Sequence, residues 1–242
     1  MHALHRLSSY ILLIAVSVCF GSPAAARDYA IWTFGNATTT AAWTSRKTDD
    51  LSSWKSVDCM SFGPDFLVSG LIGYKEPWSN LDNFIARLDV TCTQFDRVTA
   101  HTITVFSSKN HRDAAYALDI FDWDAHQDLS CPAYYFVGPV GQVGMIGAMD
   151  VGTDPNGDYI QNFRFFGRCA RLKDDHTIDW ASVGDANQMI SDRGYEMYDR
   201  AGLHCPGQDY VVTAIELRFD TGNGKIRDLR VHCRQLTFRY LP

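Results

Sequence analysis

The chain has 242 residues, a formal net charge of −6 and 46% hydrophobic residues. Such a length is long for one domain but ordinary for a single all-β sandwich or barrel, and the apolar content excludes bulk disorder. An acidic chain without a basic cluster is a poor nucleic-acid binder, because neutralising phosphates supplies most of that affinity.

Residues 1–26 read as a secretory signal peptide. Arg6 gives a positive start, Tyr10 to Phe20 is a short apolar core, and Pro23-Ala24-Ala25-Ala26 is a small-residue cleavage site before Arg27. The apolar run falls short of the roughly 20 residues that cross a bilayer, and no later stretch is long enough. The expectation is a secreted protein with no membrane span, folded as one domain over 27–242. Asn36-Ala37-Thr38 is a glycosylation sequon, relevant wherever the secretory pathway glycosylates.

Strand signals dominate the mature chain. Leu67-Val68, Ile103 to Phe106, Tyr134 to Val137, Val211 to Ile215 and Thr237 to Tyr240 are β-branched or aromatic runs, with Gly, Pro, Asn or Asp between most of them. Asp185 to Tyr198 reads either as a short helix interrupted by Gly194 or as a loop.

Three stretches share one build: about 59–92, 131–169 and 205–233. Each opens on a Cys, runs through an apolar strand with a small residue, turns, and closes on a second strand ending in Cys. Gly70, Gly147 and Ala214 are taken as the matching small residues, where a neighbouring strand or ring comes close. The second strands carry Ile85/Leu88/Val90, Ile160/Phe163/Phe165 and Ile226/Leu229/Val231. Their last step keeps a period of two, which is a strand, while the three-residue first step implies a bulge or turn. Phe166-Gly167 are two extra residues that make the second unit imperfect.

Removal of Cys19 with the signal leaves six cysteines, for which sequence allows 15 pairings. The repeat favours Cys59 with Cys92, Cys131 with Cys169 and Cys205 with Cys233, on the reasoning that each antiparallel hairpin brings its two cysteines side by side. With no C-x-x-C pair, zinc is not expected. Three units that cannot each bury a face alone share a core when packed around a pseudo-threefold axis. This predicts an all-β, disulfide-stapled β-prism of three short antiparallel sheets; the alternative is a two-sheet β-sandwich.

No hydrolase or P-loop motif occurs. Asp122, Asp124, His126 and Asp128 alternate around Trp123 on one face of an extended segment, a candidate divalent-cation set. Asp154, Asn156 and Asp158 resemble a fragment of a calcium loop, or a tight turn with Asn-Gly at its tip. No cofactor is expected; calcium at these acidic stretches is the one candidate. Six tryptophans, Trp32, Trp43, Trp54, Trp78, Trp123 and Trp180, raise the question of sugar stacking, against core packing as the commoner use. Trp78, between Glu76 and Asp82 in an expected turn, is the preferred candidate.

The unit of apolar strand, polar turn and aliphatic-x-x-aliphatic-x-aliphatic strand ending in Cys resembles that of the vitelline membrane outer layer protein I family. Ile226 to Cys233 carries the resemblance best, followed by Ile85 to Cys92. The family's Asp-Asp-Thr turn is absent. The resemblance implies a β-prism and a glycan-related role. The expected function is a secreted, non-catalytic carbohydrate-binding, extracellular-matrix or coat protein, whose partner is a glycan or coat component. The alternative is a secreted enzyme acting on glycans through a carboxylate pair such as Asp122 with Asp124 or Glu76 with Asp82.

Overall fold

The structure, a computed structural model, describes residues 29–75, 85–99, 102–107, 126–131, 144–164, 169–172, 177–179, 188–190 and 199–241. The chain begins with β1 (Tyr29–Trp43) and β2 (Lys55–Asp58), then a 3-10 turn over Cys59–Phe62. The first unit supplies β3 (Phe66–Lys75), β4 (Ile85–Phe95) and β5 (Thr102–Ser107). After β6 (His126–Ser130), the second supplies β7 (Gly144–Ile146), β8 (Ala148–Thr153), β9 (Ile160–Arg164), β10 (Cys169–Leu172), β11 (Ile178–Asp179) and β12 (Gln188–Ile190). The chain ends with β13 (Asp199–His204), β14 (Tyr210–Phe219) and β15 (Ile226–Leu241). Among the described residues there is no α-helix; of the Asp185 to Tyr198 stretch only Gln188–Ile190 are described, and they form strand β12.

Three four-stranded antiparallel sheets have the same plan. Their orders are β5-β4-β3-β6, β12-β9-β8-β13 and β1-β15-β14-β2. Each has a unit's hairpin at its centre and one strand on either side. The strand before each unit does not join that unit's own sheet. β6 precedes the second unit and pairs with β3 of the first; β13 precedes the third and pairs with β8 of the second. β2 precedes the first unit and pairs with β14 of the third. This cyclic exchange closes a three-sided prism and rules out a two-sheet sandwich. The outer place beside β15 is taken by β1.

The repeat continues down to single residues. Val68 faces Cys92, Ile146 faces Cys169 and Val212 faces Cys233. Near the turn, Lys75 faces Ile85 while Tyr74 faces Arg87; Thr153 faces Ile160 while Gly152 faces Asn162; Phe219 faces Ile226 while Arg218 faces Asp228. One extra residue therefore bulges in each second strand: Ala86, Gln161 or Arg227. These bulges are the physical cause of the three-residue apolar step. The same registers correct the small-residue alignment. Ala148, five residues before Thr153, matches Gly70 and Ala214, whereas Gly147 matches the bulged Ser69. Backbone bonds agree, since Cys131 N–H donates to the Ser69 carbonyl and Cys205 N–H to that of Gly147. In the second unit the long hairpin is interrupted at Gly147, so its far part, β7 with β10 and β11, is a separate three-stranded sheet.

The inward faces of all three sheets meet in one cluster. Leu88, Phe163 and Leu229 are buried there from corresponding positions, as are the matched pairs Val90 with Val231 and Ile160 with Ile226. A second, smaller cluster of Trp32, Leu67, Phe95, Val211 and Leu236 closes the end remote from the hairpin turns. Cys59 is bonded to Cys92 and Cys205 to Cys233, with Cα atoms 5.5 and 5.7 Å apart. Cys131 is disulfide-bonded too. The reason differs from the expected one. Cys59 follows β2, which belongs to the third sheet, and Cys92 lies on β4 of the first; Cys205 follows β13 of the second sheet, and Cys233 lies on β15 of the third. These two bridges thus each tie two sheets at a prism corner and do not staple one hairpin.

Candidate functional site

At the turn end of the prism, the second and third hairpins have turns of equal length. Asp154 N–H donates to the Tyr159 carbonyl, and Asp220 N–H to that of Lys225. The Asp154 carboxylate accepts from the backbone N–H groups of Asn156, Asp158 and Tyr159, and that of Asp220 from Gly222 and Asn223. These aspartates hold their turns, as short polar side chains do when they bond to backbone a few residues on. The segment between β1 and β2 crosses over both turns. Ser45 Oγ donates to the Asp158 carbonyl at 2.9 Å, and Arg46 N–H to that of Gly157 at 3.0 Å.

Beneath that segment lies Arg227, the bulged residue of the third unit, with 0% of its side chain exposed. Its guanidinium donates to Asp220 Oδ2 at 2.6 Å, to Ser45 Oγ at 3.2 Å and to the Lys47 carbonyl. Tyr159 lies 5.2 Å away, ring centroid to guanidinium carbon. A buried charge is tolerable only when paired and hydrogen-bonded in this way. The cluster fastens the crossing segment to the prism.

That segment ends at Trp54, which lies over the outward face of the β1-β15-β14-β2 sheet. The Arg230 guanidinium stacks 3.7 Å from the indole centroid, and that of Arg218 lies 5.3 Å from it. Arg230 is 3.6 Å from Glu216, and His232 Nε2 is 3.2 Å from the same carboxylate oxygen. The other imidazole nitrogen hydrogen-bonds Thr40 Oγ1 at 3.1 Å. A continuous polar line therefore runs Thr40, His232, Glu216, Arg230 and ends on a half-buried indole. The strand pairing explains its assembly: Thr40 faces His232, and Arg230 faces Glu216. Cross-strand neighbours on one face interact directly.

Of the residues singled out from sequence, Glu76, Trp78, Asp82, Asp122, Trp123, Asp124 and Trp180 lie outside the described residues. His126 and Asp128 sit on β6, in register with Tyr74 and Ile72. Among the described residues no group of three His, Cys, Asp or Glu side chains is placed to hold a metal. Trp32 belongs to the end cluster and Trp43 packs on the main core. Asn36 sits in an exposed bulge of β1 between Phe34 and Thr38. Arg230, His232 and Glu216 were not singled out. Their signal was the alternation of polar with apolar residues along Ile226 to Cys233, which marks an outward face but no ligand.

No protein-family model matches the chain, and no curated protein matches it by sequence. Similar solved structures include PirB, at 10% identity and a TM-score of 0.37 over 70% of this chain and 29% of that one. Another is Calsepa lectin in complex with a biantennary N-glycan, at 6% identity and a TM-score of 0.41 over 83% and 99%. A third is the mosquito-larvicidal Cry4Aa toxin from Bacillus thuringiensis, at 10% and 0.39 over 79% and 33%. The chain thus spans less than a third of PirB. The β-prism assignment rests on this chain's own three sheets, their shared plan and their cyclic strand exchange.

Proposed function

We propose that the protein is a secreted, non-catalytic carbohydrate-binding protein of a matrix or coat, and that sugars bind on the outward face beside Trp54. The observation that supports this is the half-buried indole at the end of the Thr40–His232–Glu216–Arg230 line. A pyranose offers an apolar C–H face to an aromatic ring and a rim of hydroxyls to polar groups. Here the Arg230 guanidinium stacks on one face of the ring, and the Glu216 carboxylate and His232 imidazole follow it along the polar line. Glu216 accepts from hydroxyls, and the stacked Arg230 keeps in-plane N–H donors available. The disulfides suit an oxidising compartment.

A glycan-array screen of the oxidised mature protein, run with and without calcium, tests this reading. Selective binding that Trp54→Ala abolishes is the expected result. Absence of binding in both conditions overturns it. Cleavage of an arrayed glycan would replace it with the enzyme reading.

A further inference from the structure

We infer that the sugars bound on this face are anionic, carrying carboxylate or sulfate groups, an inference that rests on the carbohydrate-binding reading above. The chain as a whole has a formal net charge of −6, yet three arginines gather on this face. Arg230, His232 and Arg234 stand at alternate positions of β15, so they line one face about 7 Å apart. Arg218 of β14 adds a further guanidinium beside them. On β1 the residues facing this row are small: Ala42 opposite Arg230, Thr40 opposite His232, Thr38 opposite Arg234. These are exposed and leave the row open on that side.

The acidic groups near the row are already used. The Asp228 carboxylate is buried, accepting from Ser45 N–H at 2.8 Å and Arg218 at 3.2 Å. Asp58 accepts from Met60 N–H and caps the 3-10 turn. Glu216 is shared between Arg230 and His232. Arg234 donates to neutral acceptors, the carbonyls of Gly35 and Asn36. Arg230 is 39% exposed, and stacking against Trp54 holds its guanidinium flat. A flat guanidinium presents in-plane donors that match the two oxygens of a carboxylate or sulfate, which a neutral hydroxyl does not reproduce.

The row is not a by-product of the repeat. The inward residues recur in all three units as Leu88, Phe163 and Leu229. The outward positions recur only in part: the second sheet has Arg164 facing Asp150 where the third has Arg230 facing Glu216, but where the third sheet has Arg230, His232 and Arg234 the first has Asp89, Thr91 and Thr93 in the same register.

Affinity measurements on the oxidised mature protein test the inference, with a polyuronate, a sulfated glycan, a neutral glycan of similar length and polyglutamate as probes, at low and at physiological salt. Binding of the polyuronate or the sulfated glycan, at least tenfold tighter than of the neutral one, is expected, with weakening as salt rises. Whichever of the two binds tighter identifies the anionic group. Arg230→Ala and Arg234→Gln should each lower that affinity roughly tenfold, the scale of one charged hydrogen bond. Arg230→Lys, which keeps charge and packing but not the planar fork, should fall between. Arg239→Ala, at the far end of the same strand, should change little and serves as the folded control. Equal binding of neutral and acidic glycans overturns the inference and leaves the carbohydrate reading standing. Equal binding of polyglutamate overturns it by reducing the face to a general anion patch. No binding of any glycan overturns both.

Discussion

Arg227 and Asp220 show how much one buried pair can be asked to hold. Neither touches solvent appreciably, and between them they fix the segment that carries Trp54. Arg227→Met leaves the Asp220 charge buried with two backbone N–H groups and, at 3.8 Å, Lys47 as the remaining cation among the described residues. The expected cost is about 3–5 kcal/mol, seen as a lower urea midpoint. Combining it with Asp220→Asn, which removes the charge and keeps an acceptor for the Gly222 and Asn223 N–H groups, should recover much of that loss. Gly157 is a second sensitive residue. Its φ of 71° is one that only glycine adopts freely, and an added Cβ would lie 3.0 Å from Arg46 Nε. Gly157→Ala should destabilise by about 1–2 kcal/mol in the same assay. At Asn36, expression in a glycosylating secretory host should add a glycan in the exposed β1 bulge. Asn36→Gln removes that mass increment on a gel, and an unchanged wild-type mass would refute the assignment.

At the scale of elements, the disulfides act between sheets. Cys59 and Cys92 are 33 residues apart, a loop whose closure is worth about 3.5–4 kcal/mol in the chain-entropy model. Replacing both by serine should lower thermal stability by that order, and should loosen the corner between the first and third sheets before the hairpins themselves. Hydrogen exchange that rises first in β2 and the Cys59–Phe62 turn would show this; uniform acceleration would contradict it. The bridge partners were legible in sequence because the repeat sets them at matching places. Their mechanical role was not, because a Cys preceding a strand carries no mark of which sheet the chain has just left. The bulges were legible for the opposite reason: Ile85-x-x-Leu88 and Ile226-x-x-Leu229 record a purely local break in the period of two. The small-residue register failed at Gly147 because the second unit divides its hairpin there, a break that composition does not reveal.

For the whole molecule, the consequence of cyclic strand exchange is that no sheet is complete without its neighbour. One cooperative thermal transition is expected, since all three sheets share one core. β1 is the piece that closes the circle, pairing with β15 along both its halves. Deleting residues 27–43 should bare the long edge of β15 and uncover Leu236 and Phe95 at the prism end. An open apolar edge recruits other chains, so light scattering and gel filtration should report oligomers; a monomeric, folded product would show that β1 is dispensable.

The sequence by itself determined the strand content, the three units, the bulge positions and the pairings of Cys59 with Cys92 and Cys205 with Cys233, because each is written in local spacing or in repetition of that spacing. Only the tertiary structure decided which strands became neighbours, since contacts such as Thr33 with Thr237 span 204 residues and are fixed by packing and not by local preference. It also decided the fate of individual side chains. Arg227 and Arg230 lie three positions apart on one strand, yet the first is sealed under a crossing segment and the second stacks on Trp54 at the surface. The bulge and the path of residues 44–54 separate them, and neither arginine carries that difference in its own sequence neighbourhood.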